Sequence, residues 1–168
     1  MLASGDGLVV QFLMDMQEQT ASHFTGRGLW RHGYWRMQEA HHGTEYFELF
    51  LGFMSRVAPR HPTTTAQLVD VAEHMGNWNT GVPDWFDYST GLFRSLYFGT
   101  DGVRADESEL NMPDHLRCAN VLMLAHKVTQ DSKYLELADS SATRWADAVC
   151  RQDAPLPIGI TCSGGDPE

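Results

Sequence analysis

Residues 114–149, "DHLRCANVLMLAHKVTQDSKYLELADSSATRWADAV", constrain the fold more than any other stretch. Pro113 and a capping Asp114 open a segment that is apolar nearly all round. It reads as a helix over 114–128, buried on most sides. "TQDS" supplies a polar turn. Residues 132–149 then place Leu135, Ala138, Ala142, Trp145 and Val149 in one stripe, the mark of an amphipathic helix. The same order occurs earlier. Over 44–57, Tyr46, Phe47, Leu49, Phe50, Leu51, Phe53 and Met54 cover nearly every face, with Thr44 as N-cap and Glu45 and Glu48 in or near the first turn, where the helix dipole favours them. Pro59 and Pro62 break the chain, and 64–78 carries the stripe Leu68, Ala72, Met75 and Trp78. "LVDVAE" at 68–73 and "YLELAD" at 134–139 look alike. The unit is a buried inner helix, a turn and an amphipathic outer helix, which needs stacked neighbours to cover it.

Elsewhere the pattern is weaker. Residues 8–22 read as a helix through Leu8, Phe12, Leu13 and Met16. Residues 23–43 read as loop with a helix near 33–40. Residues 79–113 are rich in glycine, aromatics and aspartate, and read as a short helix near 90–98 followed by a polar loop. The tail "DAPLPIGITCSGGDPE" reads as loop. The fold class expected from this pattern is all-α.

Composition narrows the function. A chain of 168 residues forms one domain with a real core. A formal net charge of −10 argues against a nucleic-acid partner, which demands a basic face. Five Trp, five Tyr and eight His suit a globular protein that handles ligands. Cys118, Cys150 and Cys162 include no C-x-x-C, so no disulfide framework or zinc site is read from them, and Cys118 is expected as a buried thiol. No stretch is apolar enough to cross a bilayer, so no membrane partner is expected. The N-terminus lacks a basic region before its apolar run, so no signal peptide is visible. A natural N-terminus would then make the protein cytoplasmic. Walker, dinucleotide, H-E-x-x-H and G-x-S-x-G motifs are absent from the sequence.

"NMPDHLRCANVLMLAHKVTQDSKYLELADSSATRWADAV", with its "KVTQDSKYLELA" turn, resembles a hairpin of the α/α-toroid carbohydrate-active enzymes. Polysaccharide lyases and six-hairpin glycosidases share that architecture. The resemblance covers roughly 44–149. It implies an incomplete toroid: 1–168 as a single α/α-hairpin domain that is a fragment of a larger one. It also implies an oligo- or polysaccharide substrate.

Four clusters carry candidate chemistry. In "GLWRHGYWR", Trp30 and Trp35 offer flat faces for stacking on sugars, and Arg31 and Arg36 offer forks for a carboxylate. His32 and Tyr34 are proton-transfer candidates there. In "AHHGTE", His41, His42 and Glu45 combine imidazole and carboxylate. A helix starting at Thr44 leaves His42 as a catalytic candidate and Glu45 as a substrate-binding one, at the mouth of a buried helix. No third metal ligand is assignable, so a divalent metal is compatible but not expected, and no cofactor is named. In "PDWFDYSTGLFR", Asp87 is a catalytic candidate, and Asp84, Trp85 and Arg94 are substrate-binding ones. Asn111, His115 and Arg117 lie near an inner-helix N-terminus and read as a solvated cap region. Arginine, histidine and tyrosine outnumber well-placed carboxylate pairs. The preferred expectation is therefore a polyuronate lyase acting by β-elimination. The alternatives are a glycoside hydrolase using Asp84 or Asp87, and a non-enzymatic helical-repeat interaction module.

Overall fold

The computed structural model describes residues 7–104, 109–151 and 156–163. The N-terminal end, residues 105–108 of the polar loop and half of the tail expected as loop lie outside them.

The C-terminal hairpin forms, but Asp114 does not cap it: Asp114 lies in a 3-10 turn (Pro113–His115) before the helix, and its carboxylate faces His41 and Arg117. Helix α5 (Leu116–Thr129) ends on Gln130, whose left-handed backbone (φ 63°) turns the chain. Asp131 then caps α6 (Ser132–Val149) by accepting from the Lys133 amide at 3.1 Å. The buried face of α6 is Tyr134, Leu137, Ala138, Ser141, Trp145 and Ala148. This corrects the expected stripe by about one residue: Leu135 and Val149 are exposed. Spacings of three and four fit both stripes, and the side that buries the large Tyr134 ring wins. Helix α5 is also less enclosed than expected, since Met123 and Val128 remain exposed.

Helix α4 (Pro62–Glu73) starts on Pro62, whose missing N–H costs nothing at that position. It packs against α5 through Leu68, Val71 and Ala72. Lys133 and Tyr134 of α6 both reach Glu73 at its C-terminal end, at 2.7 and 2.6 Å. These donors hold the Glu73 carboxyl below its usual range although partial burial opposes them. The expected 44–57 helix begins earlier and is irregular. A turn, α2 (Ala40–Gly43), leads through Thr44 into a π-helical segment (Phe47–Gly52) and α3 (Phe53–Val57). Thr44 is no N-cap. It is fully buried and its hydroxyl donates back to Ala40 O at 2.6 Å, so His41 and His42 lie within the helical turn. Helix α1 (Gly7–Gly26) contains the expected 8–22 segment, but Leu8 and Phe12 are exposed and Gln17 is buried.

The all-α expectation is overturned. Nine short strands occur among the described residues, paired antiparallel in small sheets, so the protein is mixed α and β. The helix expected near 33–40 is instead β2 (Tyr34–Trp35) and β3 (Gln38–Glu39), and β2 pairs with β1 (Trp30–Arg31). The two-residue turn between β1 and β2 is His32-Gly33, with φ of 56° and 80°, the left-handed pair that a tight hairpin requires. The helix expected near 90–98 is β5 (Leu92–Phe93) and β6 (Tyr97–Gly99). β5 pairs with β4 (Phe86–Asp87), and β6 lies between β3 and β7 (Gly102–Val103). β8 (Leu110–Asn111) pairs with β9 (Ile160–Thr161) in the tail. Apolar runs this short do not distinguish period 2 from period 3.6, and glycines at 33 and 91 with positive φ decide for hairpins.

These hairpins sit on the helices and share their core. Trp85, Tyr34, Phe47, Phe86, Leu51 and Leu122 are among its fully buried side chains. The Trp85 indole donates to Gly99 O at 3.1 Å. At Gly99 the β6 backbone passes so close to Trp35 O and Arg36 O that a Cβ would press into both carbonyls. Those oxygens already accept from the Thr100 and Asp101 amides at 2.9 Å. Gly99→Ala should therefore destabilise the fold by about 1–3 kcal/mol. The check is a lower urea midpoint with an unchanged m value.

Candidate functional site

The β1–β2 hairpin lies against α1 and α4, and the turn at its tip aims His32 at Asp70. His32 Nδ1 lies 3.0 and 3.2 Å from the two Asp70 carboxylate oxygens. His74, one turn after Asp70, stacks on the His32 ring at 3.6 Å between centroids and 14° between planes. Its Nδ1 lies 2.8 Å from Asp70 O. Each Nδ1 therefore donates to Asp70, His32 to the carboxylate and His74 to the carbonyl, which leaves both lone pairs on Nε2. Gly81 keeps those atoms uncovered: a Cβ there would lie 3.5 Å from His74 Nε2 and 3.7 Å from His32 Nε2.

Beside this cluster is a hollow of about 450 Å³ lined by Trp30, Arg31, His32, Tyr46, Gln67 and Asp70, among others. Arg31 is exposed and has no partner among the described residues. Tyr46 accepts from Gln17 at 3.2 Å, and Gln17 also reaches Gln67. Burial raises the Tyr46 phenol to about 12, so it stays protonated near neutrality. On the other side of Trp30 and Tyr46 is a second hollow of about 350 Å³, reached by Trp35, His42 and Glu45. His42 Nδ1 and His41 Nε2 each lie 3.7 Å from Glu45 Oε1, and the two rings cross at 70°. His41 Nδ1 faces Asp114 Oδ1 at 3.2 Å, and Arg117 holds that oxygen at 3.0 Å. Among the described residues these two histidine groups are the sets of three or more His, Cys, Asp or Glu arranged to hold a metal. A larger groove of about 760 Å³ between α3, α4 and α5 collects Arg56, Arg60 and Lys127 and no carboxylate.

The segments 30–36 and 41–45 thus meet around Trp30 and Tyr46, whereas 84–94 lines neither hollow and touches them only in the core, where Trp85 packs on Tyr34 at 4.3 Å. Trp35 packs against Phe24 and Trp30 at 5.0 and 5.4 Å. Tyr34 is in the core, its hydroxyl donating to Val71 O at 2.6 Å, and burial pushes its phenol far above the usual range. With its hydroxyl proton spent on Val71 O and no place in either hollow, Tyr34 is removed from proton transfer. Arg36 is exposed and paired with Asp101 at 2.9 Å. Trp85 is buried away from any sugar. Asp84 is exposed and lines none of the hollows above. Asp87 accepts from the Ser89 hydroxyl and amide at 2.6 and 2.8 Å, and these bonds hold its carboxyl below the usual range. Arg94, exposed, adds a smaller charge effect on Asp87. His115, read from sequence as part of a solvated cap, is fully buried, and Asn111 beside it bonds both backbone groups of Phe93.

Asp70 and His74 escaped the sequence reading because they fall off the apolar stripe of α4. Their signal was the i,i+4 spacing of a carboxylate and an imidazole on one helix face. No known protein family, characterised protein or solved structure matches the chain.

Proposed function

We propose that this chain acts on an acidic polysaccharide, a polyuronate, and cleaves it by β-elimination in the Trp30–Asp70 hollow. The observation that carries this reading is the His32–Asp70 pair, 3.0 Å apart, in the same hollow as Arg31, which has no partner among the described residues. Elimination needs a cation against the uronate carboxylate, a base for the C5 proton and a donor for the leaving oxygen. Arg31 neutralises the carboxylate and so acidifies the C5–H. His32 Nε2 takes that proton, while Asp70 steadies the imidazolium that forms. The electron pair becomes the C4–C5 double bond, the C4–O4 bond breaks, and the Tyr46 hydroxyl protonates the departing oxygen. Trp30 and Tyr46, buried to all but 6% of their surface, form the floor of the hollow and offer the sugar only a ring edge. The cationic groove of Arg56, Arg60 and Lys127 favours an anionic polymer over a neutral one in a chain that is otherwise acidic. Hydrolysis through Asp84 and Asp87 gains no such support, because Asp87 is committed to its own turn.

The test is ultraviolet absorbance of the unsaturated product when the whole chain meets galacturonate, guluronate and mannuronate polymers. Arg31→Ala should raise KM about tenfold or more, since a charged hydrogen bond is worth about 1.5–3 kcal/mol. Reducing sugar released without absorbance would replace this reading with hydrolysis, and neither signal would remove catalysis altogether.

A further inference from the structure

We propose that His41, His42 and Glu45 bind one divalent transition-metal ion of the zinc type, a site separate from the His32–Asp70 pair. Zinc lies about 2.0–2.2 Å from imidazole nitrogen and carboxylate oxygen, so neighbouring tetrahedral ligands stand about 3.4 Å apart. His41 Nε2 and His42 Nδ1 are each 3.7 Å from Glu45 Oε1, and the three ligand atoms all lie within 4.8 Å of one another, so side-chain rotation about the exposed histidines brings them to one ion. The 70° angle between the rings allows their lone pairs to converge on one point.

The surroundings of His41 point the same way. A ligating histidine characteristically donates its other ring N–H to a carboxylate. His41 has Asp114 in that position, at 3.2 Å. Arg117 anchors the arrangement from behind, 3.0 Å from Asp114 Oδ1 and donating to His41 O at 3.0 Å. Helical backbone places the three ligands: His41 and Glu45 are i,i+4, and the buried Thr44 pins the turn between them. The donor set of nitrogen and oxygen without sulfur suits zinc, manganese or nickel. The three side chains are each about half exposed, and His42 and Glu45 line the 350 Å³ hollow. A metal held there keeps open positions at the hollow's rim for a ligand oxygen, as catalytic sites do and closed structural sites do not.

The other histidine group does not meet these conditions. The His32 and His74 rings lie nearly parallel, so their Nε2 lone pairs run side by side and do not converge. The Asp70 carboxylate is on the Nδ1 side, already bonded to His32.

The experiment is calorimetric titration of the tag-free, metal-stripped whole chain with Zn²⁺, with the visible spectrum of Co²⁺ as a second readout. One equivalent should bind and give a four- or five-coordinate cobalt spectrum. His42→Gln and Glu45→Gln should each weaken binding at least tenfold, and Asp114→Asn by about 10–100-fold. His32→Asn and His74→Gln should leave it unchanged. Circular dichroism of the metal-free variants checks folding, and His42 and Glu45 are exposed enough to be replaced without harm to the core. Absence of saturable binding overturns the proposal, as does binding that survives His42→Gln or disappears in His74→Gln. The readout is binding, so it is independent of whether the chain cleaves polyuronates.

Discussion

Replacing His32 with asparagine is expected to slow elimination from a polyuronate by about 10²–10⁴-fold, the usual contribution of a positioned general base. Asparagine is the suitable replacement because residue 32 has φ 56°, a left-handed conformation that asparagine tolerates and alanine does not. The turn, and with it the hairpin, is retained. The loss should fall on kcat, with KM nearly constant, since Arg31 still binds the sugar carboxylate. Asp70→Asn should cost less and act differently. The amide still accepts a hydrogen bond from Nδ1–H and so keeps the ring in place, but it cannot stabilise the imidazolium that forms, so kcat falls while the base itself remains. Steady-state rates on the polymer preferred by the unaltered chain provide the check. Full activity in His32→Asn would remove His32 as the base and sink the mechanism.

Lowering the pH from about 6.5 to about 4 should cost the fold about 3 kcal/mol through His115 alone. The ring is fully buried against the Phe93–Phe98 pair, with centroids at 5.2 and 5.8 Å. In its neutral form Nδ1 accepts from the Met112 amide at 3.1 Å and Nε2–H donates to Ser95 O at 3.2 Å. Burial depresses its pKa from 6.5 to about 4 against the pull of the Met112 and Ser95 carbonyls and of Asp114. Between these values the unfolded chain binds a proton that the folded chain refuses. Stability is therefore complete above pH 6.5 and falls as pH drops, at about 1.4 kcal/mol per unit. Glu73 and Asp87 have depressed carboxyls, whose stabilisation is present above their unfolded values of 4.5 and 3.8 and is lost only below them. The window from 6.5 to 4.5 is thus left to His115 among the shifted groups. His115→Gln, which keeps a donor and an acceptor, should flatten that window. Urea titrations at pH 7, 6, 5 and 4.5 measure it, and equal slopes in both proteins would refute the assignment.

The parts legible in the sequence are those set by neighbours along the chain. The α5–α6 hairpin follows from Asp131, the "TQDS" turn and helical spacing, all local. His32, Arg31, Trp30, His42 and Glu45 were identifiable as chemistry-bearing residues from type alone. The strands were not legible. "GYWRMQEA" contains helix formers, and only pairing with a partner 60 residues away, Gln38 with Phe98, makes part of it β. Nor was the core role of Trp85, since an exposed and a buried tryptophan look alike in a string.

Local chemistry along the chain therefore determined the helical hairpin and the candidate residues in "GLWRHGYWR" and "AHHGTE". Tertiary structure alone decided which of them meet. Asp70 and His74 reach His32 because the β1–β2 turn folds back over α4, across 38 residues from His32 to Asp70. His41 gains Asp114 across 73 residues because α2 packs beside the turn before α5. Spacing along a helix places side chains on one face within a few positions. Pairing between distant segments depends on which apolar faces bury each other, and no local pattern encodes that.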